Sequence, residues 1–267
     1  MRLLVMLAVA LTPAIGYSQD PVITGAVNAA SLAPDQPLSP GSLVSLFGTG
    51  LAASTATAST VPLPDSIAGV SATFSGITAP LQFVSPGQIN LQVPWRVEPG
   101  VTDIVVTVSG HTSAAFGAHV GPASPGIFTI PPGASQALAL NSDGSIAAGY
   151  GSIPGVRTMP ATVGNTLMIL ATGLGLVTPA ITDGAASSDQ VRTTVATPTV
   201  LVSGFPAQVT FSGLAPQFVG VNQINIVVPQ GAWGPGGGGG ECPIQIELGG
   251  IRSSDKVTIN VLGKWAY

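Results

Sequence analysis

Apolar and polar residues alternate along most of this chain. Ile89, Leu91 and Val93 alternate with Asn90 and Gln92, and Ile224, Ile226 and Val228 keep the same phase further on. The same period of two runs through Val70, Ala72 and Phe74, through Ile244, Ile246 and Leu248, and through Val257, Ile259 and Val261. Such a period puts one face of an extended strand on a core and the other outward. Each run is short and bounded by Gly, Pro, Ser or Asn, and no segment carries a capped 3.6-residue period. This pattern predicts antiparallel sandwiches with very little helix.

The pattern is also duplicated. Phe47 to Leu51 recurs as Leu170 to Leu174, Ser75 to Leu81 as Ser203 to Val209, Gln88 to Pro94 as Gln223 to Pro229, and Ile104 to Val108 as Ile244 to Leu248. Four matches in one order, with a spacing that only grows, mean that one unit occurs twice. The last growth in spacing is assigned to Gly236 to Gly240, read as an expanded, flexible turn between two strands. Between the copies, Ile127 to Ile130 and Gln136 to Leu140 flank Pro131-Pro132-Gly133, the pattern of a hairpin. The predicted fold is therefore all-β: two tandem immunoglobulin-like antiparallel β-sandwiches, 19–121 and 164–267, joined by a β-hairpin-like connector, 122–163.

Composition adds the setting. Of 267 residues only 7% are charged, yet 45% are hydrophobic, which is enough to bury two cores against chain entropy. Past the N-terminus no apolar run approaches the roughly 18 residues that a membrane span requires. Arg2, the apolar stretch Leu3 to Ile15 and the small residues Gly16 and Ser18 read as a signal peptide, 1–18, cleaved after Ser18 or Gly16. The destination is then the medium, the periplasm or the cell surface. A net charge of −4 suits neither nucleic acid nor anionic lipid, and the lone Cys242 permits no intramolecular disulfide and reads as a small apolar filler.

Gly41 to Leu51 resembles the opening strand and turn of IPT/TIG immunoglobulin-like domains. Val27-Asn28-Ala29-Ala30-Ser31, Ser85 to Asn90, Ser124 to Phe128 and Ala171 to Gly175 resemble, in order and over nearly the whole mature chain, the uncharacterised secreted family known as the Solibacter C-terminal domain. The resemblance implies an extracellular location and an immunoglobulin-like fold. It carries over no catalytic residue.

Reaction chemistry finds little footing. Gly48-Thr49-Gly50 with Ala53 formally fits a dinucleotide fingerprint, but the Ser/Thr/Ala stretch that follows opens no helix, and a turn is the better reading. Asn141 to Ser145 lacks the later acid of a calcium loop and reads as a hairpin turn, and Glu98 and Asp103 flank Pro99-Gly100 as a solvated tip. His111 and His119 close the first unit without counterparts in the second and read as surface or sheet-face residues; no metal and no cofactor are expected. Trp95 and Trp233 both follow the repeated strand. They either cap the open end of a sandwich or form an exposed platform for a sugar ring or a partner protein, and they are the candidate ligand-binding residues. The reading is a non-enzymatic secreted module that binds an extracellular protein or polysaccharide. Its rivals are a secreted hydrolase acting through His111 or His119, and a structural or assembly unit of the cell envelope that pairs through sheet edges.

Overall fold

In a computed structural model, which describes residues 20–233 and 239–263, every regular element is a strand. The signal segment 1–18 lies outside the described residues, as does most of the glycine run. Ten strands come first: β1 (Val22–Asn28), β2 (Leu43–Thr49), β3 (Ala56–Thr57), β4 (Val70–Phe74), β5 (Ile77–Thr78), β6 (Leu81–Ser85), β7 (Gln88–Gln92), β8 (Gly100–Val108), β9 (His111–Thr112) and β10 (Phe116–Val120). They form two antiparallel sheets, β1-β2-β7-β6-β3 and β10-β8-β4-β5, with β9 on β8. The apolar faces meet over Val44, Leu46, Phe74, Ile89, Leu91 and Ile104, all fully buried.

Eleven more strands follow: β11 (Gly126–Ile127), β12 (Ala139–Asn141), β13 (Thr166–Thr172), β14 (Val177–Thr178), β15 (Thr193–Thr194), β16 (Thr199–Val202), β17 (Phe205–Leu214), β18 (Asn222–Val227), β19 (Gly239–Leu248), β20 (Ile251–Arg252) and β21 (Thr258–Leu262). Their order repeats the first set: β13-β18-β17 stands where β2-β7-β6 stood, and β21-β19-β16 where β10-β8-β4 stood. A second core gathers Leu167, Ile169, Ile224, Ile226, Ile244 and Ile259.

The repeat extends to single hydrogen bonds. Gly41 N–H donates to Val93 O and Gly164 N–H to Val228 O, both at 2.9 Å. Val106 N–H donates to Ser113 Oγ at 3.1 Å and Ile246 N–H to Ser253 Oγ at 2.9 Å. The hairpins at Ser75-Gly76 and Ser203-Gly204 both turn through two residues of positive φ, the geometry whose twist matches the flanking strands. Five residues ahead of each opening strand, Leu38 and Ala161 bridge in parallel to the last strands at Val120 and Val261.

Three features depart from simple alternation. First, Phe205–Leu214 is one strand, bulged between Val209 and Phe211, that pairs β16 with its first half and β18 with its second and so links the layers. In the first sandwich the same stretch is broken between β5 and β6 at Ala79-Pro80, where proline has no N–H for the ladder. Second, Gly239 and Gly240, read from sequence as part of a turn, open β19 and pair with Leu262 and Val261; a side chain at Gly239 would collide with the backbone of Gly263. Third, Gln92, polar by phase, is fully buried because the second sandwich covers it. The connector hairpin is built into that sandwich: β11 and β12 both pair with β13, and Phe128–Ile130 pairs with Gln136–Leu138 across the Pro-Pro-Gly bend.

Candidate functional site

Three of the four stretches that carry the family resemblance, Val27 to Ser31, Ser124 to Phe128 and Ala171 to Gly175, meet at the joint between the sandwiches. Asn28, 1% exposed, donates from Nδ2 to Ser124 O at 2.8 Å while its Oδ1 accepts from Ala30 N–H at 2.9 Å. Gly126 packs against the Asn28 amide and Gly173 against the Ser124 carbonyl, at separations that leave no room for a Cβ. Thr172 Oγ1, fully buried, accepts from Leu43 N–H at 2.9 Å and donates to Gly220 O at 2.6 Å. On the far side, Gly184 N–H donates to Gln92 Oε1 at 2.7 Å, and Trp95 N–H to Asp183 Oδ1 at 2.7 Å. A buried polar group that lost such a partner would leave the other unsatisfied, so these bonds hold the joint in one arrangement.

That arrangement leaves a groove of about 590 Å³ between the first sheet, the connector and the second sandwich. Its floor is the outer face of β2 and β7, where register sets Phe47 beside Gln88 and Ser45 beside Asn90. Phe128 from the connector and Phe218 from the loop between β17 and β18 supply aromatic walls, and no charged residue lines it. Asn90 Oδ1 accepts from Gln88 Nε2 at 2.7 Å and from Ser45 Oγ at 3.0 Å. With that oxygen engaged twice, Gln88 Oε1 and Asn90 Nδ2 are left without protein partners among the described residues: an acceptor and a donor, side by side, in a concave neutral site. Such a pair matches two neighbouring hydroxyls, each of which both donates and accepts.

Trp95 lies elsewhere. Its ring rests on Gly41, where any side chain would overlap it, and it lines an apolar cavity of about 250 Å³ with Val97, Leu174, Leu176 and Val195. It is half-buried, and its Nε1 is buried with no hydrogen-bond partner among the described residues. Trp233 is also half-buried, but it is not the counterpart of Trp95. The turns after the two prolines superpose in their bonding, Val97 N–H to Pro94 O at 3.1 Å and Ala232 N–H to Pro229 O at 3.2 Å, which sets Trp95 opposite Gln230. The structure brings the two indoles to no common site.

The other candidates disperse. His111 is exposed and 3.2 Å from Asp20, and His119 is exposed on β10. Among the described residues no three His, Cys, Asp or Glu side chains gather to hold a metal. Cys242 is buried, its thiol donates to Ala232 O at 2.7 Å, and burial raises its pKa, so it stays a protonated thiol. Asp143 accepts from Ser145 in the Asn141 to Ser145 turn, and chiefly that hydrogen bond lowers its pKa, with Arg157 2.7 Å away adding to it. Asp189 is held at a pKa of about 2, first by its hydrogen bonds from the buried Arg192.

No protein family matches the chain, and neither does any curated protein. Among solved structures it is similar to the SGBP-B protein of the Bacteroides ovatus mixed-linkage glucan utilization locus, bound to a mixed-linkage heptasaccharide, at 13% identity and a TM-score of 0.31 over 87% of this chain and 45% of that one. Similarity to the surface glycan-binding protein PbSGBP-B of Prevotella bryantii is at 12% identity and a TM-score of 0.28, over 91% of this chain and 41% of that one. Two tandem Ig domains of titin match at 10% identity and a TM-score of 0.21, over 85% of this chain and 92% of that one. The chain thus spans less than half the length of the two bacterial proteins, and likenesses at these TM-scores carry no argument about function.

Proposed function

We propose that this chain is a non-catalytic extracellular binding module, a member of the Solibacter-type domain family it resembles, whose ligand is a neutral glycan held in the groove between the sandwiches. One observation carries the reading: a concave, charge-free site pairs an unengaged amide acceptor and donor, on Gln88 and Asn90, with the rings of Phe47, Phe128 and Phe218. Aromatic faces take the C–H faces of sugar rings while amides take their hydroxyls, and a site of this size and lining suits a small part of a polymer. The signal-like N-terminus supports an extracellular setting. Trp95, which walls a separate apolar cavity, and Trp233, a half-buried ring of the second sandwich, lie outside this groove.

The test is calorimetric titration of the full mature chain with neutral polysaccharides (mixed-linkage β-glucan, xyloglucan, galactomannan), with polygalacturonate as the anionic control. Binding of a neutral polymer is expected, weakened about thirtyfold by Gln88→Ala with Asn90→Ala, since two neutral hydrogen bonds contribute about 1 kcal/mol each. If the double variant melts normally and binds as before, the groove is not the site.

A further inference from the structure

The second sandwich has its own version of the amide pair. Gln223 Nε2 donates to Asn225 Oδ1 at 3.0 Å, as Gln88 does to Asn90, and again Gln223 Oε1 and Asn225 Nδ2 have no protein partner among the described residues. This pair lines a second groove, of about 420 Å³, with Phe211, Leu214, Pro216 and Gln190. The one charged group on its lining, Asp189, is neutralised by Arg192.

Register shows how the two grooves lie. Leu170, which lines the first groove, is the Cα partner of Gln223, which lines the second, and Met168 is the partner of Asn225. Residues opposite one another on adjacent antiparallel strands point to the same face. The grooves therefore share one face of one sheet. They also share a wall: the end of β17 and the loop after it give Leu214 and Pro216 to the second groove, and the same loop gives Phe218 and Val221 to the first. Phe218, 56% exposed, stands on that wall.

From this geometry we infer that the two grooves are subsites of a single extended face, and that the ligand is a neutral polysaccharide chain laid across both sandwiches with Phe218 stacking on the ring that crosses the wall. The inference rests on the glycan reading of the first groove. A repeated amide pair implies repeated hydroxyl partners, which a polymer of like units presents and a single small molecule does not. A rigid joint gives the second subsite its advantage, since a segment already bound in one groove meets the other at high effective concentration.

Calorimetric titration of the full mature chain with cello-oligosaccharides and manno-oligosaccharides of two to six units tests it. Affinity for one series is expected to rise at least tenfold from the disaccharide to the hexasaccharide. Gln223→Ala with Asn225→Ala should lower hexasaccharide affinity about tenfold and leave disaccharide affinity unchanged. Phe218→Ala alters only an exposed loop ring, so it provides a variant that folds whatever the strand substitutions do; since that ring also walls the first groove, it should weaken every oligomer, and the hexasaccharide more than the disaccharide. If short oligomers bind but neither length nor these substitutions matter, the extended face is overturned while the first groove stands. If no oligomer of either series binds, both readings fall.

Discussion

Single residues decide whether these sandwiches hold. Ile226 is fully buried on β18, between Leu167 of β13 and Val209 of β17 in register. Ile226→Asp would put an unpaired carboxylate there at a cost of several kcal/mol, against the roughly 5 to 15 kcal/mol that stabilise a domain, so the second sandwich is expected to unfold. A strand signal in circular dichroism that is reduced at a temperature where the parent chain is fully folded is the measurement; an unchanged melting curve would overturn it. A subtler residue is Gln92. Its alternation with Ile89, Leu91 and Val93 predicts an outward side chain, yet it is buried with its amide divided between Gly41 O at 3.2 Å and Gly184 N–H. Local period gives the phase of a strand but not what later covers it, and that is why the residues of the joint were not legible as such. Gln92→Leu keeps the shape and strands Gly184 N–H. A loss of about 1 to 3 kcal/mol is expected in thermal melting, whereas an exposed Gln92 would have predicted almost none.

At the scale of elements, most of the architecture was legible because each strand is short, alternating and punctuated, and because each punctuation recurs in the second copy. The Ser75-Gly76 and Ser203-Gly204 turns and the buried faces of β7 and β18 follow from local rules that a sequence carries. The continuous β17 did not, since a bulge that carries a strand between layers has no period of its own. Nor did the segment before β15. Arg192, 6% exposed, donates there to Ala180 O, Ser187 Oγ and the Asp189 carboxylate, and so organises the second groove's rim. The Asp189 pKa, lowered to about 2 chiefly by Arg192, fixes the sign of a pH effect. A carboxylate with a depressed folded-state pKa stabilises fully above its ordinary value near 4, and that contribution fades as pH falls toward 2. Melting temperature should therefore hold down to about pH 4 and drop below it, and Asp189→Asn should flatten this part of the profile. An unchanged profile in the variant would show that the pair contributes nothing to the rim.

On the scale of the whole molecule, two sandwiches built on one repeated pattern behave as one body only if the joint is firm. Three of the stretches that carry the family resemblance, Val27 to Ser31, Ser124 to Phe128 and Ala171 to Gly175, turn out in space to be neighbours that bond across the units. Their chemistry is that of backbone satisfaction: a carboxamide and a hydroxyl reach carbonyls and N–H groups that would otherwise be buried alone. The groove was not legible for the same reason. Gln88 and Asn90 lie in the repeated strand, where they read only as polar positions, while Phe128 and Phe218 reach the same groove from the connector and from a loop, and only the joint brings the three parts together. Breaking it should leave each core intact and disconnect them. Asn28→Ala removes the Ser124 contact and Thr172→Val removes both partners' bond to the hydroxyl, each at about 1 to 3 kcal/mol. Both changes lie outside the two grooves. The double variant is expected to turn one cooperative calorimetric transition into two, to enlarge the radius of gyration in small-angle scattering, and to lose both the gain in affinity with oligosaccharide length and much of the binding of the shortest oligomer, because the first groove is itself built across the joint. A variant that melts as one unit, scatters as before and still distinguishes long from short ligands would mean that the two sandwiches are held together by something other than these bonds.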